Sequence, residues 1–331
     1  MATQFRVAVV GCGAISPLHV KGILNAGQNL CALCDILPER AEKIKEASGL
    51  SETRVYTDYL AMLDTEKPDA VHICTPHHLH APMVVAALER EIHVLCEKPI
   101  AINEEQLAEL HRAVGASHAQ LGVCHQNRYE PNMLRLKELC RDGVRAAFGT
   151  VVWQRNESYY RSAAWRGTLK EEGGGVMINQ ALHTLDILQW ISGFPKSVVA
   201  HVYNDSLKGV IEVEDTATAC FECESGARLH FFATNASTAD FPVQLRVQLQ
   251  NGGLIDAQNA QLCQDYEVLS STKLDATLGK RVWGDGHRAL IADFYRCIGA
   301  GERFSIDLNE SEKVIKLIRA MYRSAGEKIE I

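Results

Sequence analysis

The chain has 331 residues, 47% of them hydrophobic and 23% charged, the balance of a globular protein with room for two domains and large buried cores. Its net charge of -7 leaves no basic footprint for nucleic acid. No apolar run is long enough to span a bilayer, and the N-terminus enters its first strand without a signal-peptide pattern, so the cytoplasm is the expected compartment.

The first expected strand, Arg6–Val10, runs into Gly11-Cys12-Gly13-Ala14-Ile15-Ser16, and a helix follows at about His19–Asn25. A dinucleotide-binding βαβ unit opens this way. Gly11 permits the tight turn, Gly13 lets the backbone approach a pyrophosphate, and the free N–H groups of the helix point at that anion. Ser16 stands where the fingerprint has its third glycine. The second strand, Leu30–Cys34, ends in Asp35, about twenty residues after the turn. A carboxylate there can hold both ribose hydroxyls of NAD and would repel the extra phosphate of NADP. The plainer alternative is an ordinary strand–turn–helix with a chance acidic residue.

Strands are then expected at Ala70–Cys74, His93–Cys96 and Gln120–Val123, with helices near Pro38–Ala47, Tyr59–Leu63, Pro82–Glu89 and Glu104–Val114. Asn103, followed by acidic residues, is a plausible N-cap for the last of these. The alternation predicts a parallel, doubly wound sheet over a first domain of residues 1–125. Ligands of such sheets bind beyond the carboxyl ends of the strands. Thr75 and Pro76 are therefore expected to line the cofactor, with His80 facing the same crevice; the alternative is a helix-start turn carrying surface histidines. Glu97-Lys98-Pro99 closes the next strand. A lysine beside the positive nicotinamide, partly desolvated, has its charged form disfavoured and its pKa brought toward the range of an acid or base. A surface Glu97–Lys98 salt bridge is the competing reading. Pro99 would fix the backbone there, with a cis bond one of its options.

After residue 125 the pattern changes, and residues 126–331 are expected to form an α+β domain. A helix at Pro131–Arg141 leads to a strand at Phe148–Arg155 and an irregular stretch from Glu157 to Gly175. A helix follows at about Asn179–Trp190. Strands come next at Ser197–Tyr203, Ala217–Cys223, Ala227–Thr234, Val243–Gln250 and Gly253–Gln258, with Ser225-Gly226 and Asn251-Gly252 as hairpin turns. Alternation of Val243, Leu245, Val247 and Leu249 with polar neighbours predicts an antiparallel sheet covered on one face. An amphipathic helix, about Asn309–Ser324, closes the chain, and a cleft is expected between the domains. Within the irregular stretch, Tyr160 and Trp165 offer aromatic faces for a sugar ring, and Arg166 offers donors for phosphate, carboxylate or hydroxyl oxygens; loop packing would explain them equally. Gly173-Gly174-Gly175 precedes Asn179, His183 and Asp186. Positions four apart share a helix face, so Asn179 and His183 are expected to point together, with Asp186 holding the imidazole tautomer. A neutral His183 is then a candidate for taking a hydroxyl proton, against the alternative of a satisfied core histidine.

The eleven cysteines are scattered, many within apolar runs, as expected of buried thiols in a reducing compartment. Cys31 and Cys34, like Cys220 and Cys223, sit three apart in strands and so face opposite sides. His77, His78 and His80 lack a second set of partner ligands, and no metal is expected.

Taken together, these motifs resemble the glucose–fructose oxidoreductase and inositol dehydrogenase family (Gfo/Idh/MocA) over essentially the whole chain. The family's glycine turn looks like Gly11-Cys12-Gly13-Ala14-Ile15, its ribose-binding acid like Asp35, and its Thr-Pro turn like Thr75-Pro76 with the trailing His80. Its Glu-Lys-Pro signature matches Glu97-Lys98-Pro99, where the lysine is the usual catalytic residue. Its Gln/Asn-x-Arg segment matches Gln126-Asn127-Arg128, and its Gly-Gly-Gly helix with a catalytic histidine matches Gly173 to His183. The Trp165-Arg166-Gly167 segment is similar to that of members acting on sugars and nucleotide sugars. Many members have Asn at the place of His77 and Asp at the place of Asn179. Asn179 cannot share a negative charge with His183 but can hydrogen-bond a substrate hydroxyl.

The resemblance implies an NAD-dependent oxidoreductase moving a hydride between a secondary hydroxyl of a sugar, sugar derivative or cyclitol and nicotinamide. Lys98 and His183 would carry the proton. Gly11, Gly13, Ala14, Ile15, Asp35, Thr75, Pro76, His80, Glu97, Lys98, Gln126, Trp165 and Arg166 would surround the cofactor, and Asn179, Tyr160, Arg166, Gln126 and Arg128 the substrate. A homodimer or homotetramer built on the antiparallel sheet is expected. Two alternatives stand beside this reading: an NAD-cycling lyase, epimerase or glycoside-cleaving enzyme working through a transient keto-sugar, and a non-catalytic nucleotide or sugar sensor.

Overall fold

The computed structural model describes residues 4–258, 261–271 and 286–331. Met1–Thr3, the start of the N-terminus read above as leader-free, lie outside them. Among the described residues no helix is long and apolar enough to cross a membrane. The chain forms two compact units. The first draws on Met1–Gln126 and Asp285–Glu312, and the second on Asn127–Gly284 and Lys313–Ile331.

In the first unit six parallel strands, β1 (Arg6–Val10), β2 (Asn29–Cys34), β3 (Arg54–Tyr56), β4 (Ala70–Ile73), β5 (His93–Cys96) and β6 (Leu121–Val123), lie in the order β3-β2-β1-β4-β5-β6. This is the doubly wound nucleotide-binding order, with the reversal of direction beside β1. β1 and β4 are buried along nearly their whole length, which is why they read as apolar runs, broken in β4 only by His72, rather than as alternation. The helices α1 (Ser16–Asn25), α2 (Pro38–Ala47), α3 (Tyr59–Glu66), α4 (His80–Leu88) and α5 (Glu104–Ala116) connect them. Asn103 caps α5, its side chain accepting the Gln106 N–H at 2.9 Å. Asp58 caps α3 in the same way through the Ala61 N–H. The edge strand β3, only three residues long, was not expected.

The first boundary expected from sequence lies within a residue or two of the crossing at 126/127, but residues 285–312 return to the first unit. Its helix α10 (Gly286–Ala300) packs on α1 so closely that a Cβ on Gly22 would sit 2.4 Å from Ile291 Cδ1. Phe294 and Phe304 fill the space beside Gly122 of β6.

The second unit is built on a nine-stranded sheet. Its strands are β7 (Val144–Val152), β8 (Pro195–Tyr203), β9 (Thr216–Cys223), β10 (Arg228–Thr234), β11 (Gln244–Leu249), β12 (Leu254–Gln258), β13 (Gln261–Gln264), β14 (Glu267–Ser271) and β15 (Ile329–Glu330), in the order β14-β13-β12-β11-β7-β10-β9-β8-β15. β7 and β10 pair in parallel, and the other neighbours are antiparallel. Both expected hairpin turns join antiparallel neighbours, β9 to β10 and β11 to β12. The helices of this unit are α6 (Pro131–Leu139), α7 (Glu157–Arg161), α8 (Val176–Asn179) and α9 (Leu182–Ser192), with most of α11 (Leu308–Ser324). α9 covers one face: a Cβ on Gly149 of β7 would lie 2.7 Å from Thr184 Cγ2.

Candidate active site

In the first unit the residues singled out from sequence meet at the carboxyl edge of the parallel sheet. The turn after β1 begins at Gly11, whose φ of +85° is a backbone state that L side chains rarely adopt. A Cβ there would also press to 2.6 Å on the carbonyl carbon of Cys74 at the end of β4. The need for glycine at this position is thus internal. Gly13 differs: a Cβ would meet nothing within 4 Å, so its bare backbone faces open space, which fits the close approach of a pyrophosphate. Ser16 Oγ donates to the Gly13 carbonyl at 2.8 Å and holds the turn from the position of the absent third glycine. Asp35 immediately follows β2 and is buried; its carboxylate accepts the Cys12 N–H at 2.8 Å and the Leu37 N–H at 2.9 Å.

Thr75-Pro76 follows β4 and Glu97-Lys98-Pro99 follows β5, with the Lys98–Pro99 bond cis. His80 ties these two turns together. Its buried ring places Nδ1 2.7 Å from the Pro99 carbonyl oxygen and Nε2 2.8 Å from that of Thr75. Burial outweighs both carbonyls and lowers its pKa. It is therefore a buried strut between the two turns and not a surface histidine.

Glu97 takes part in more than a local pair with Lys98. Its Oε1 receives His19 Nε2 at 3.0 Å and His287 Nε2 at 3.1 Å, and its Oε2 accepts the Lys98 backbone N–H at 3.2 Å. From His19 a chain runs on through His72 (Nδ1 to Nδ1, 2.8 Å) to the Tyr295 hydroxyl, 2.8 Å from His72 Nε2. Burial lowers the pKa of both His19 and His72, keeping the rings neutral. One proton per ring then fits a single direction: Tyr295 donates to His72, His72 to His19, and His19 to Glu97. Burial raises the Glu97 pKa, but the His19 and His287 bonds more than offset it and hold the carboxyl well below its usual range. The His19, Glu97 and His287 ligand atoms lie within 4.8 Å of one another, as a metal site would need, yet these hydrogen bonds already account for them. Sequence reasoning missed this chain, although a histidine inside the apolar strand β4 was a visible signal.

In the second unit the structure corrects the expected helix at Asn179–Trp190. α8 ends at Asn179 and α9 begins at Leu182, so Asn179 and His183 do not share one regular helix face. The break comes from the N-terminal side. Gly173 has φ +87°, and the Gly175 and Met177 N–H groups donate to Glu214 Oε2 and Oε1, both at 3.0 Å. Gly175 lies against the Glu214 backbone, where a Cβ would sit 1.9 Å from the carbonyl oxygen. Asp186 receives the buried Arg128 guanidinium in a two-pronged pair at 2.7 and 2.5 Å. Arg128, expected at the substrate, is thereby a buttress of α9. Tyr160 is also a correction. It is 4% exposed, packs with Leu207, Ile211 and Val213, and its hydroxyl accepts the Asn235 amide at 2.8 Å.

The polar surface of this stretch is carried by its neighbours. Arg166 stacks on Tyr159 at 4.2 Å and on Trp165 at 5.5 Å. The Tyr159 hydroxyl accepts the Gln180 amide at 3.1 Å and the Asn179 amide at 3.4 Å. Asn179 also donates to Glu172, a buried carboxyl that sequence reasoning overlooked although it immediately precedes Gly173.

Comparison with known proteins agrees with this architecture. Residues 5–125 match the Gfo/Idh/MocA oxidoreductase family, NAD-binding Rossmann fold, and residues 133–255 match the Gfo/Idh/MocA C-terminal domain. The chain is 26% identical to a D-glucoside 3-dehydrogenase of Escherichia coli (strain K12), over 92% of this chain and 98% of that one. It is 24% identical to an inositol 2-dehydrogenase of Corynebacterium glutamicum, over 86% and 78%. The WlbA dehydrogenase of Bordetella pertussis, solved in complex with NADH and UDP-GlcNAcA, superposes with a TM-score of 0.85 at 26% identity, covering 99% of both chains.

Proposed function

The chain belongs to the Gfo/Idh/MocA family and is an NAD-dependent dehydrogenase of CH–OH groups, and from that premise we propose that it oxidises a secondary hydroxyl of a sugar, sugar derivative or cyclitol. One observation supports this most: the glycine turn, Asp35, Thr75-Pro76 and Glu97-Lys98 gather at one edge of the parallel sheet. Named relatives act on glucosides and inositol, which favours a polyhydroxylated ring.

Bound NAD supplies the hydride acceptor. Gly13 gives its pyrophosphate room, and the Asp35 carboxylate takes the ribose hydroxyls and disfavours a 2′-phosphate. Lys98, held by a backbone anchored through Glu97, and His183 at the start of α9 are assigned the substrate hydroxyl proton. Asn179, Arg166 and Gln126 are assigned the remaining hydroxyls. Replacing Lys98 by Ala should lower turnover by about a hundred- to ten-thousandfold and leave NAD affinity largely intact. His183→Ala should act in the same way. Full activity in both variants would remove these assignments.

We also assign a homo-oligomeric interface to the uncovered face of the nine-stranded sheet. Phe148 and His230 stack there at 4.8 Å beside Phe232, and Phe148 and Phe232 are 46% and 37% exposed. The eleven cysteines are free, most of them buried, as suits a reducing compartment such as the cytoplasm.

A further inference from the structure

Helix α10 belongs to the segment that returns to the first unit, and it carries two buried polar side chains, His287 and Tyr295, about two helical turns apart. Both lead to the Glu97 carboxylate. His287 Nε2 lies 3.1 Å from Glu97 Oε1. Tyr295 reaches the same oxygen by way of His72 on β4 and His19 on α1, through links of 2.8, 2.8 and 3.0 Å. Glu97 Oε2 accepts the Lys98 backbone N–H at 3.2 Å.

We propose that His287 and Tyr295 of α10 are positioning residues for Lys98, acting through Glu97. An ionised carboxylate can only accept, so the N–H groups of His19 and His287 both point at Oε1. Held there from two sides, the carboxylate cannot turn about its last side-chain bond, and Oε2 stays on the Lys98 peptide. The Lys98 side chain then leaves a fixed point of the backbone. Among the described residues His287 Nδ1 has no partner, so the hydrogen bond this ring makes is the one to Glu97. Loss of that bond frees the carboxylate to swing. Tyr295 acts more weakly: it anchors the outer end of the chain, and linked hydrogen bonds strengthen one another. This rests on the reading above, in which Lys98 takes part in moving the substrate proton.

The surroundings suit a permanent anion. The bonds from His19 and His287 more than offset burial and keep Glu97 ionised. The thiols of Cys74, Cys96 and Cys124 face the same charge, and burial, with that charge added, holds them protonated. No thiolate therefore competes for the N–H groups.

The first measurement needs no substrate. In protein with isotope-labelled lysine, the Lys98 amide resonance is assigned by its loss in Lys98→Arg. It should move in His287→Leu, and move less in the same direction in Tyr295→Phe. In His287→Gln it should stay near its wild-type position, because the Gln amide can place an N–H where Nε2 stood. A Lys98 amide unmoved in a folded His287→Leu overturns the inference. If His287→Leu does not fold, Tyr295→Phe, which removes only a hydroxyl, decides by the same signal. The second measurement follows turnover of a glycoside or inositol. His287→Leu should lower kcat by about ten- to a hundredfold, with KM and NAD affinity within about twofold of wild type. His287→Gln should recover most of that loss. A fall in thermal stability with kcat unchanged would make these residues core packing alone and overturn the inference. Oxidation of no sugar or cyclitol by the wild type counts against the dehydrogenase reading, and the Lys98 amide still decides the role of α10.

Discussion

Asp35 accepts the Cys12 and Leu37 N–H groups and so closes the glycine turn, and the proposed function gives the same carboxylate the ribose hydroxyls of NAD. Asp35→Asn keeps the shape and removes the charge. It should weaken NAD binding by about tenfold or more and narrow the preference over NADP, since charged hydrogen bonds exceed neutral ones by about 1 kcal/mol or more. Fluorescence titration with both cofactors checks this; unchanged preference would show that the discrimination lies elsewhere. The places of Asp35 after a strand and of Lys98 before its proline were legible in the sequence because their immediate neighbours announce them. Glu172 and His287 were not, because their meaning depends on partners brought together by the fold. Glu97 and His287 are 190 residues apart in the chain, and no local pattern joins them. Arg128 and Tyr160 were misread for the same reason, their partners Asp186 and Asn235 lying 58 and 75 residues away.

At the scale of elements, the segment from Gly173 to His183 is where local rules and tertiary structure disagree. Periodicity alone joins Asn179 to Trp190 in one helix, but Glu214 draws the Gly175 and Met177 N–H groups toward itself, and the short helix that results ends after one turn. Gly175 lets the Glu214 backbone come within reach, so Gly175→Ala should force the two segments apart. We expect a loss of about 3 kcal/mol, typical of overpacking against an unyielding backbone. The midpoint of urea unfolding measures it. An unchanged midpoint would mean that the segment bearing Glu214 moves freely. The strands were easier to read than this helix, because their apolar runs or alternations report burial directly, as in β11. The short edge strands β3 and β15, with three and two residues, hold too little pattern to be seen.

Over the whole molecule the two units should answer acid in opposite ways. In the first, burial lowers the pKa of His19, His72 and His80 below the ordinary 6.5. Their unfolded forms take up protons as pH falls through 6.5 while the folded forms stay neutral, so stability present above 6.5 is lost on acidification. Glu97, held low, adds to that loss only as pH falls below its ordinary 4.5. In the second unit burial raises Glu172 to about 7 and also raises Glu214. A raised carboxyl pKa gives the opposite sign: stability is gained as pH falls from about 7 toward 4.5. Hydrogen exchange at pH 7 and pH 5, corrected for intrinsic rates, should show protection falling in β1, β4 and α1 and rising around Gly173–Asn179. The same sign in both units would contradict these assignments.

The central claim, oxidation of a sugar or cyclitol hydroxyl by NAD, is tested most directly by NADH absorbance. Purified protein and NAD would be presented with a panel of glycosides, free sugars, sugar acids, nucleotide sugars and inositols. The account predicts NADH formation with at least one of these classes, abolished by Lys98→Ala. Silence across the panel, with NAD binding confirmed, would contradict it.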